Sequence, residues 1–284
     1  MSKTGKTDRT KRIKEFQIYL QERENAASTI EKYVRDIHKF FGFIKDREIS
    51  KELLIAYKQW LLENYSVNSA NSMLAALNQY LVFIELGRLR LKRIRVQRMD
   101  MQDPDRELGK EEFRRLVRAA REMEKEQIAM IMETICATGI RVSELRFFRV
   151  EDLRRGLVKV WNKGKCRMVI IPRLLKQKLL AYAGSRHICS GVIFRTRTGK
   201  AVDRVSIWKE MKNVAKKAGV APGKVFPHNL RHLFSREFYK ITKNLVNLAD
   251  ILGHSSLEVT RIYASDGMRE WRRNLEKTGL ILET

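Results

Sequence analysis

The chain has 284 residues, 44% of them hydrophobic and 8% aromatic, which is enough for two globular domains with separate cores. Its 58 Lys and Arg residues outnumber 33 Asp and Glu residues, giving a net charge of +25. That charge attracts polyanions and points first to nucleic acid, although a ribosomal or other basic structural protein has a similar composition. Three scattered cysteines without a C-x-x-C pair argue against a disulfide framework or a zinc site.

Targeting signals are not evident in the sequence. No run of 18 apolar residues predicts a membrane helix, and the first residues form no apolar stretch of the signal-peptide kind. The unpaired cysteines suit a reducing compartment. We therefore predict a soluble, cytoplasmic protein.

Residues 1–97 are predicted to be helical, with almost no strand signal. A capping box formed by Ser28 and Glu31 precedes an amphipathic run. Further helices are predicted near 10–22, 51–64 and 68–86. The last is expected to end at Gly87, which suits the residue that follows a helix. Together these segments predict a compact bundle of about four helices.

A run of cations alternates with apolar residues after the bundle. These cations are Arg88, Arg90, Lys92, Arg93, Arg95 and Arg98. Pro104 follows in a stretch without a core pattern, so we predict a basic linker over residues 98–107 and a domain boundary there. We interpret the cations as contacts to DNA phosphates, the alternative being an edge strand with one charged face.

Residues 108–284 are predicted to form a second, α+β domain that is mostly helical. An apolar helix spans Gln127 to Thr138 and stops at Gly139. Two short strands at 157–161 and 168–171 flank a turn in which a glycine supplies positive φ. Later helices are predicted near 173–183, 203–218, 228–242 and 245–252.

Phosphate chemistry is indicated by side chains of this second part. Attack on a phosphodiester needs a nucleophile, cations for the non-bridging oxygens and an acid for the leaving group. Tyr263 is the candidate nucleophile, and the forked guanidiniums of Arg141 and Arg231 each suit two phosphate oxygens. His228 lies one helical turn before Arg231, and Lys163 at a hairpin tip suits proton donation to the departing oxygen.

His254 is a further candidate, because Gly253 before it lets the backbone turn close to a ligand. Each of these residues also fits an ordinary structural role. The alternatives are a core tyrosine for Tyr263, a helix cap for His228, a turn residue for His254, a surface pair with Glu144 for Arg141, and a solvated turn for Lys163. Their joint occurrence in this order favours the chemical interpretation.

Five separated blocks resemble the signature of the tyrosine recombinase, or phage integrase, family. They are 137–145 around Arg141, 162–165, 228–232, 252–255 and Tyr263. The resemblance covers roughly residues 108–266, and the N-terminal bundle is similar to the core-binding domain of Xer-like members. It implies a mainly α fold with a small β-sheet. A SAM-like helical bundle and an α+β catalytic domain would form a C-shaped clamp around DNA.

The resemblance implies roles for individual residues. Arg141 and Arg231 would clamp the scissile phosphate, and Tyr263 would form a 3′-phosphotyrosyl link. Lys163 would be the general acid, with Lys165 as its rival because the hairpin alignment is loose.

The remaining positions of the motif also have implied roles. His228 would take or orient the proton of Tyr263, and His254 would hydrogen-bond the phosphate. Glu144 and His232 match positions that support the site. Contacts to DNA are expected from Arg88, Arg90, Lys92, Arg93, Arg95 and Lys165.

The implied reaction cleaves and rejoins double-stranded DNA without metal, ATP or another cofactor. Members of the family act as homotetramers on two duplexes, at sites with inverted half-sites. The segment 266–284 has apolar residues at helix spacing and would dock as a tail helix on a neighbouring subunit. These apolar residues are Trp271, Leu275, Leu280 and Ile281.

Several functions remain open at this stage. The favoured one is a site-specific recombinase of a bacterial mobile element, acting in transposon cointegrate resolution or in integration and excision. An Xer-type resolver of chromosome dimers is the alternative role. A type IB topoisomerase and a non-catalytic DNA-binding protein are the alternative classes.

Overall fold

The computed structural model describes residues 3–95, 106–162, 164–253 and 260, and the side chains of residues 3–8 and 162 lie outside that description. The chain forms two compact units, Met1–Arg98 and Met99–Thr284. The described residues are mainly helical with one two-stranded sheet, so the predicted mainly α fold with a small β-sheet is confirmed. Among these residues, the helices are all too short or too polar to cross a membrane.

The first unit is built from helices that pack through aromatic residues. They are α1 (Lys3–Glu22), α2 (Ala27–Ile44), α3 (Lys51–Asn64) and α4 (Val67–Phe83), followed by a 3-10 helix (Gly87–Leu89). Phe16 packs edge-on against Tyr80, with ring centroids 5.2 Å apart, and Phe40 packs similarly against Tyr57 at 5.1 Å. Because these four rings are at most 1% exposed, they form much of the apolar core that holds the bundle together.

Three predicted helix ends in this unit are wrong. Helix α1 begins at Lys3, seven residues before its predicted start. Helix α2 is capped by Ala26 without a side-chain hydrogen bond, and Ser28 lies inside the helix. The Thr29 and Ile30 amides both donate to the Ala26 carbonyl, at 2.8 and 3.1 Å, so the first helical turn forms two residues before the predicted cap. Helix α4 ends at Phe83 because Glu85 adopts a left-handed conformation with φ of +61° and the Leu86 amide bonds back to the Leu81 carbonyl.

The residues after α4 pack onto the first unit up to residue 95. Leu91 is buried, and its backbone amide and carbonyl both bond to the side-chain amide of Asn78, each at 2.9 Å. Ile94 is held in the same way by Asn71, at 2.8 and 3.0 Å. Residues 88–95, called the basic segment below, are therefore fixed on the bundle. The predicted linker 98–107 falls mostly outside the described residues.

The second unit has mixed secondary structure. Its elements are α5 (Lys110–Glu122), α6 (Glu126–Thr138), a 3-10 helix (Val142–Phe147), α7 (Val150–Arg155), β1 (Leu157–Asn162), β2 (Lys165–Ile170), α8 (Arg173–Ser185), α9 (Arg204–Lys217), α10 (Pro227–Thr242) and α11 (Leu245–Leu252). Helix α6 is buried on nearly all sides and forms the centre of the core, which explains its continuous apolar sequence. Its C-terminal end consequently delivers the next residues into the interior of the unit.

The strands form an antiparallel hairpin in which Asn162 pairs with Lys165. Gly164 has φ of +74°, as predicted for this turn. Val158, Val160 and Val169 are buried, so one face of the hairpin packs on the core. Strand β2 begins three residues before its predicted start, because the ladder continues to the turn.

Candidate active site and DNA-contacting residues

Gly139 ends helix α6 and directs the chain toward the candidate site. Its φ is +65°, and a Cβ at this position would lie 2.4 Å from Cδ1 of Phe234. Glycine is thus needed for both its conformation and its small size. The Gly139 carbonyl accepts a 2.6 Å hydrogen bond from Arg231 Nη1, so this helix end positions one of the predicted arginines.

Arg231 on α10 is only 1% exposed. While Nη1 bonds to Gly139, Nη2 donates a 2.8 Å hydrogen bond to the Leu252 carbonyl. A buried guanidinium needs such polar partners, because an uncompensated charge in the interior is costly. The ends of α6 and α11 therefore fix the orientation of this side chain.

Arg141 reaches the same backbone oxygen from a different element. Its Nη1 lies 3.5 Å from the Leu252 carbonyl oxygen and 3.2 Å from Glu144 Oε1. Leu252 ends helix α11, and carbonyls at a helix C-terminus favour nearby cations. The structure thus brings together the two arginines that the sequence predicts as phosphate ligands. The Arg141 side chain remains 32% exposed.

Glu144 supports Arg141 from the interior. Its Oε2 accepts a 2.8 Å hydrogen bond from the Arg141 backbone amide, and the residue is 1% exposed. Burial alone would raise the pKa of Glu144, but hydrogen bonds from Arg167 and from that amide outweigh it and hold the pKa below its usual value. The alternative of a pair between Arg141 and Glu144 on the surface is wrong, because the carboxylate is buried.

Arg167 on β2 was not among the predicted site residues. Its Nη1 and Nη2 donate to the two carboxylate oxygens of Glu144, both at 2.9 Å, and its Nε donates to the Ile251 carbonyl at 3.0 Å. The available signal was strand alternation, which places Arg167 on the same face as buried Val169. Arg141, Glu144, Arg167 and Arg231 are called the arginine cluster below.

The arginine cluster has an excess of positive charge. The cluster contains three guanidiniums and one carboxylate, which leaves a formal charge of +2 on these four side chains. Part of this excess is balanced by the partial negative charge at the end of α11. The remaining positive potential, with Arg141 accessible to solvent, makes the cluster suitable for binding an anion such as a phosphodiester.

His228 borders the cluster at the start of α10. Loss of hydration, and then the charges of Arg231 and Arg141, lower the pKa of His228 below its usual value of 6.5, so the imidazole is neutral at pH 7. Its ring meets that of His232 edge-on, with centroids 4.2 Å apart. The helix-cap alternative for His228 is wrong, because α10 has no side-chain cap hydrogen bond.

Of the remaining predicted site residues, some lie within the residues that the structure describes and others lie outside them. Lys165 is exposed at the start of β2, on the strand face that also carries Arg167. Lys163, His254 and Tyr263 lie outside the described residues, as does the predicted tail helix at 266–284.

The basic segment presents its cations to solvent. Arg88, Arg90, Lys92, Arg93 and Arg95 are all exposed. Its apolar residues face the bundle instead: Leu91 is buried, and Leu89 and Ile94 are partly buried against the same core. The alternation seen in the sequence therefore separates a packing side from a charged side.

In the part of the chain that the structure describes, no group of three or more His, Cys, Asp or Glu side chains is arranged to hold a metal ion.

Family comparisons give the same picture over nearly the whole chain. The family described as the phage integrase family matches residues 106–270, and the phage integrase N-terminal SAM-like domain matches residues 13–86. The tyrosine recombinase XerA of Thermococcus kodakarensis is 30% identical over 277 residues, which cover 95% of each chain. XerD of Vibrio cholerae is 29% identical over 265 residues, covering 85% of this chain and 87% of its own.

Solved structures share the fold at lower identity. A lambda integrase dimer bound to a COC′ core site matches with a TM-score of 0.73 at 18% identity, covering 92% of this chain and 97% of its own. The recombinase XerH bound to a difH substrate matches with a TM-score of 0.66 at 18% identity, covering 91% and 84%. The chain therefore belongs to the phage integrase family and is a tyrosine recombinase.

Proposed function

We propose that this recombinase cleaves and rejoins double-stranded DNA at specific sites through a 3′-phosphotyrosyl intermediate, with Tyr263 as the nucleophile. The tyrosine oxygen attacks phosphorus, the bond to the 5′ oxygen breaks, and a 5′-hydroxyl leaves. Attack by the 5′-hydroxyl of a partner strand then reverses these steps and releases the enzyme. The energy of the phosphodiester is kept in the protein–DNA ester throughout.

The convergence of Arg141 and Arg231 on the Leu252 carbonyl is the main observation behind this proposal. Both side chains are oriented by hydrogen bonds before DNA arrives, so little reorganisation is needed when charge develops on the phosphate. The net positive charge of the arginine cluster favours the pentavalent transition state, in which the non-bridging oxygens carry more negative charge.

Proton transfer is assigned to neighbouring side chains. A neutral His228 accepts or orients the proton of Tyr263, and this role agrees with the lowered pKa of His228. Lys163 is proposed as the acid that protonates the leaving oxygen. Lys165 remains its rival, because it is exposed on the strand face that carries Arg167. His254 is proposed to hydrogen-bond the phosphate, with Glu144 and His232 supporting the site.

DNA binding is assigned to both units. Residues 1–97 form the proposed core-binding domain, residues 98–107 the linker, and residues 108–284 the catalytic domain with its tail helix. The exposed cations of the basic segment are proposed to contact phosphates. A tetramer on two duplexes is supported by the similarity to lambda integrase, which has been solved as a tetramer on a Holliday junction.

Two biological roles share this chemistry. We favour a mobile element, in transposon cointegrate resolution or in integration and excision, and the fold similarity to the Tn1549 transposon integrase supports that role. Chromosome-dimer resolution is the second candidate, favoured by sequence similarity to XerA and XerD over most of the chain. Inverted half-sites beside a transposon end would support the first role, because the symmetry of a DNA site mirrors that of the protein bound to it.

A plasmid assay tests the proposed function. Supercoiled DNA carrying two directly repeated sites, selected from random sequence by binding to the protein, is incubated with the enzyme. We expect recombinant circles from the wild-type enzyme. The Tyr263→Phe variant should still bind the site but leave the plasmid unchanged. Relaxation without recombinants would instead indicate a topoisomerase, and unchanged plasmid with the wild type would indicate a non-catalytic DNA-binding protein.

A further inference from the structure

The Glu144 carboxylate is shared by two arginines, but unequally. Arg167 donates two hydrogen bonds of 2.9 Å, one to each oxygen, in the parallel geometry of a strong arginine–carboxylate pair. The Arg141 side chain makes one longer contact of 3.2 Å through Nη1. Glu144 is therefore bound mainly to Arg167, and most donors of Arg141 are left for another partner.

Arg167 is itself held by the backbone around the end of α11. Its Nε donates to the Ile251 carbonyl at 3.0 Å, and its Cδ lies 2.6 Å from the position that a Cβ on Gly253 would take. The side chain is 13% exposed, compared with 32% for Arg141. Within the cluster, Arg167 thus faces the protein interior and Arg141 faces solvent.

We propose that Arg167 is a positioning residue that occupies the Glu144 carboxylate and thereby keeps Arg141 available for the scissile phosphate. This inference rests on the proposed function, since it assigns Arg141 a phosphate to bind. Arg167 acts through Glu144 and Arg141, and it does not contact the reacting atoms.

The electrostatics explain why such a residue is needed. A buried carboxylate must be compensated by a nearby cation and hydrogen bonds. Without Arg167, the neighbouring cation that already contacts Glu144 is Arg141, three residues away. Glu144 would then draw Arg141 into a two-bond pair of its own, and the guanidinium would turn from the DNA toward the interior.

A pair of variants distinguishes this role from a purely structural one. Arg167→Met removes the guanidinium but keeps an apolar side chain, and we expect single-turnover cleavage to slow by about 10- to 100-fold, as for other residues that orient a ligand-binding group. DNA affinity should change less than about threefold. Adding Glu144→Gln removes the charge that captures Arg141, so the double variant should regain most of the cleavage rate.

The double variant separates the two explanations because it still lacks the Arg167 bond to the Ile251 carbonyl. If Arg167 only ties β2 to α11, Arg167→Met with Glu144→Gln will cleave as slowly as Arg167→Met alone, and that result would overturn the proposal. A wild-type rate for Arg167→Met would also overturn it. Thermal unfolding is measured alongside.

If Arg167→Met alone does not fold, the double variant decides the question, because it has no uncompensated buried carboxylate. In that case the proposal requires the double variant to cleave at least as fast as Glu144→Gln alone, and a folded double variant that is clearly slower than Glu144→Gln would refute it. Failure of the proposed function is recognised separately, as absence of a covalent adduct in the wild-type protein.

Discussion

The arginine cluster and the basic segment both concentrate positive charge, but they hold it in opposite ways. In the cluster, each guanidinium is fixed by carbonyls or by a buried carboxylate, and Arg231 is almost fully buried. In the basic segment, the backbone is fixed by Asn71 and Asn78 while the cations extend into solvent. Geometry should therefore matter most in the cluster, and the number of charges should matter most in the segment.

Arg231→Lys should have the largest effect, although it preserves charge. Lysine cannot bond to the Gly139 and Leu252 carbonyls and present a fork to phosphate at the same time. We expect the cleavage rate to fall by about 100- to 1000-fold, the range for removing one donor that stabilises developing charge. The measurement is single-turnover cleavage of a nicked substrate.

A matched control for this prediction lies on the same helix. Arg236 is also partly buried, and its Nη2 donates to the Leu108 carbonyl at 2.7 Å. Arg236→Lys should cleave at close to the wild-type rate. Equal reductions in the two variants would mean that buried arginines of α10 matter for folding and not for the reaction.

Gly139→Ala should be the next largest change, because it disturbs the helix end that holds Arg231. The left-handed conformation costs about 1–2 kcal/mol for alanine, and contact with Phe234 adds about 1–3 kcal/mol. We expect the free energy of unfolding, measured in urea, to fall by roughly the sum of these costs. Gly219→Ala is the control, since its φ is +62° and no atom of the described residues lies within 4 Å of its Cβ position. It should show the conformational cost alone.

In the basic segment, DNA binding should depend on the number of positive charges and not on the shape of the side chains. Changing Arg88, Arg90 and Arg95 together to glutamine should make DNA binding less sensitive to salt. The slope of the logarithm of the binding constant against the logarithm of the salt concentration should fall in magnitude by about 0.9 for each phosphate that is no longer neutralised. Changing the same three residues to lysine should leave that slope nearly unaltered. Binding isotherms at several salt concentrations measure both variants, and equal effects of the two replacements would contradict a purely electrostatic role.

The smallest expected effect concerns the titration of His228 and its contribution to the free energy of unfolding. The pKa of His228 in the folded protein lies below 6.5, so the ring stays neutral until the pH approaches this lowered pKa. Between the folded pKa and 6.5, the unfolded chain therefore binds more protons than the folded chain. The stability that neutral His228 contributes above pH 6.5 is lost as the pH falls toward the folded pKa. An NMR titration of the ring should give a midpoint below 6.5. His228→Asn identifies the signal, and a midpoint at or above 6.5 would remove the proposed effect of the neighbouring arginines.

Local patterns predicted much of the fold. Gly139 and the hairpin turn at Gly164 were found because few other residues tolerate their positive φ. The same rule failed at α4, where Glu85 takes the left-handed position and Gly87 begins a 3-10 helix. A non-glycine residue at such a position is favoured by the packing of the whole unit, which local sequence does not reveal.

The candidate site was predictable where a motif was present. Arg141 and Arg231 were predicted first from their phosphate-binding chemistry and then from the family resemblance, and the structure places both at the Leu252 carbonyl. Arg167 was missed because its role depends on Glu144 and Ile251, which are 23 and 84 residues away in sequence. Strand alternation indicated only the face on which it lies.

Mapping the covalent adduct tests the central claim most directly. The enzyme is incubated with a nicked DNA site that traps the cleaved complex, the DNA is digested, and the modified peptide is sequenced by mass spectrometry. We predict a nucleotide joined through its 3′ phosphate to Tyr263. An adduct on any other residue, or an unchanged amount of adduct with Tyr263→Phe, would contradict the assignment of the arginine cluster and Tyr263 to one active site.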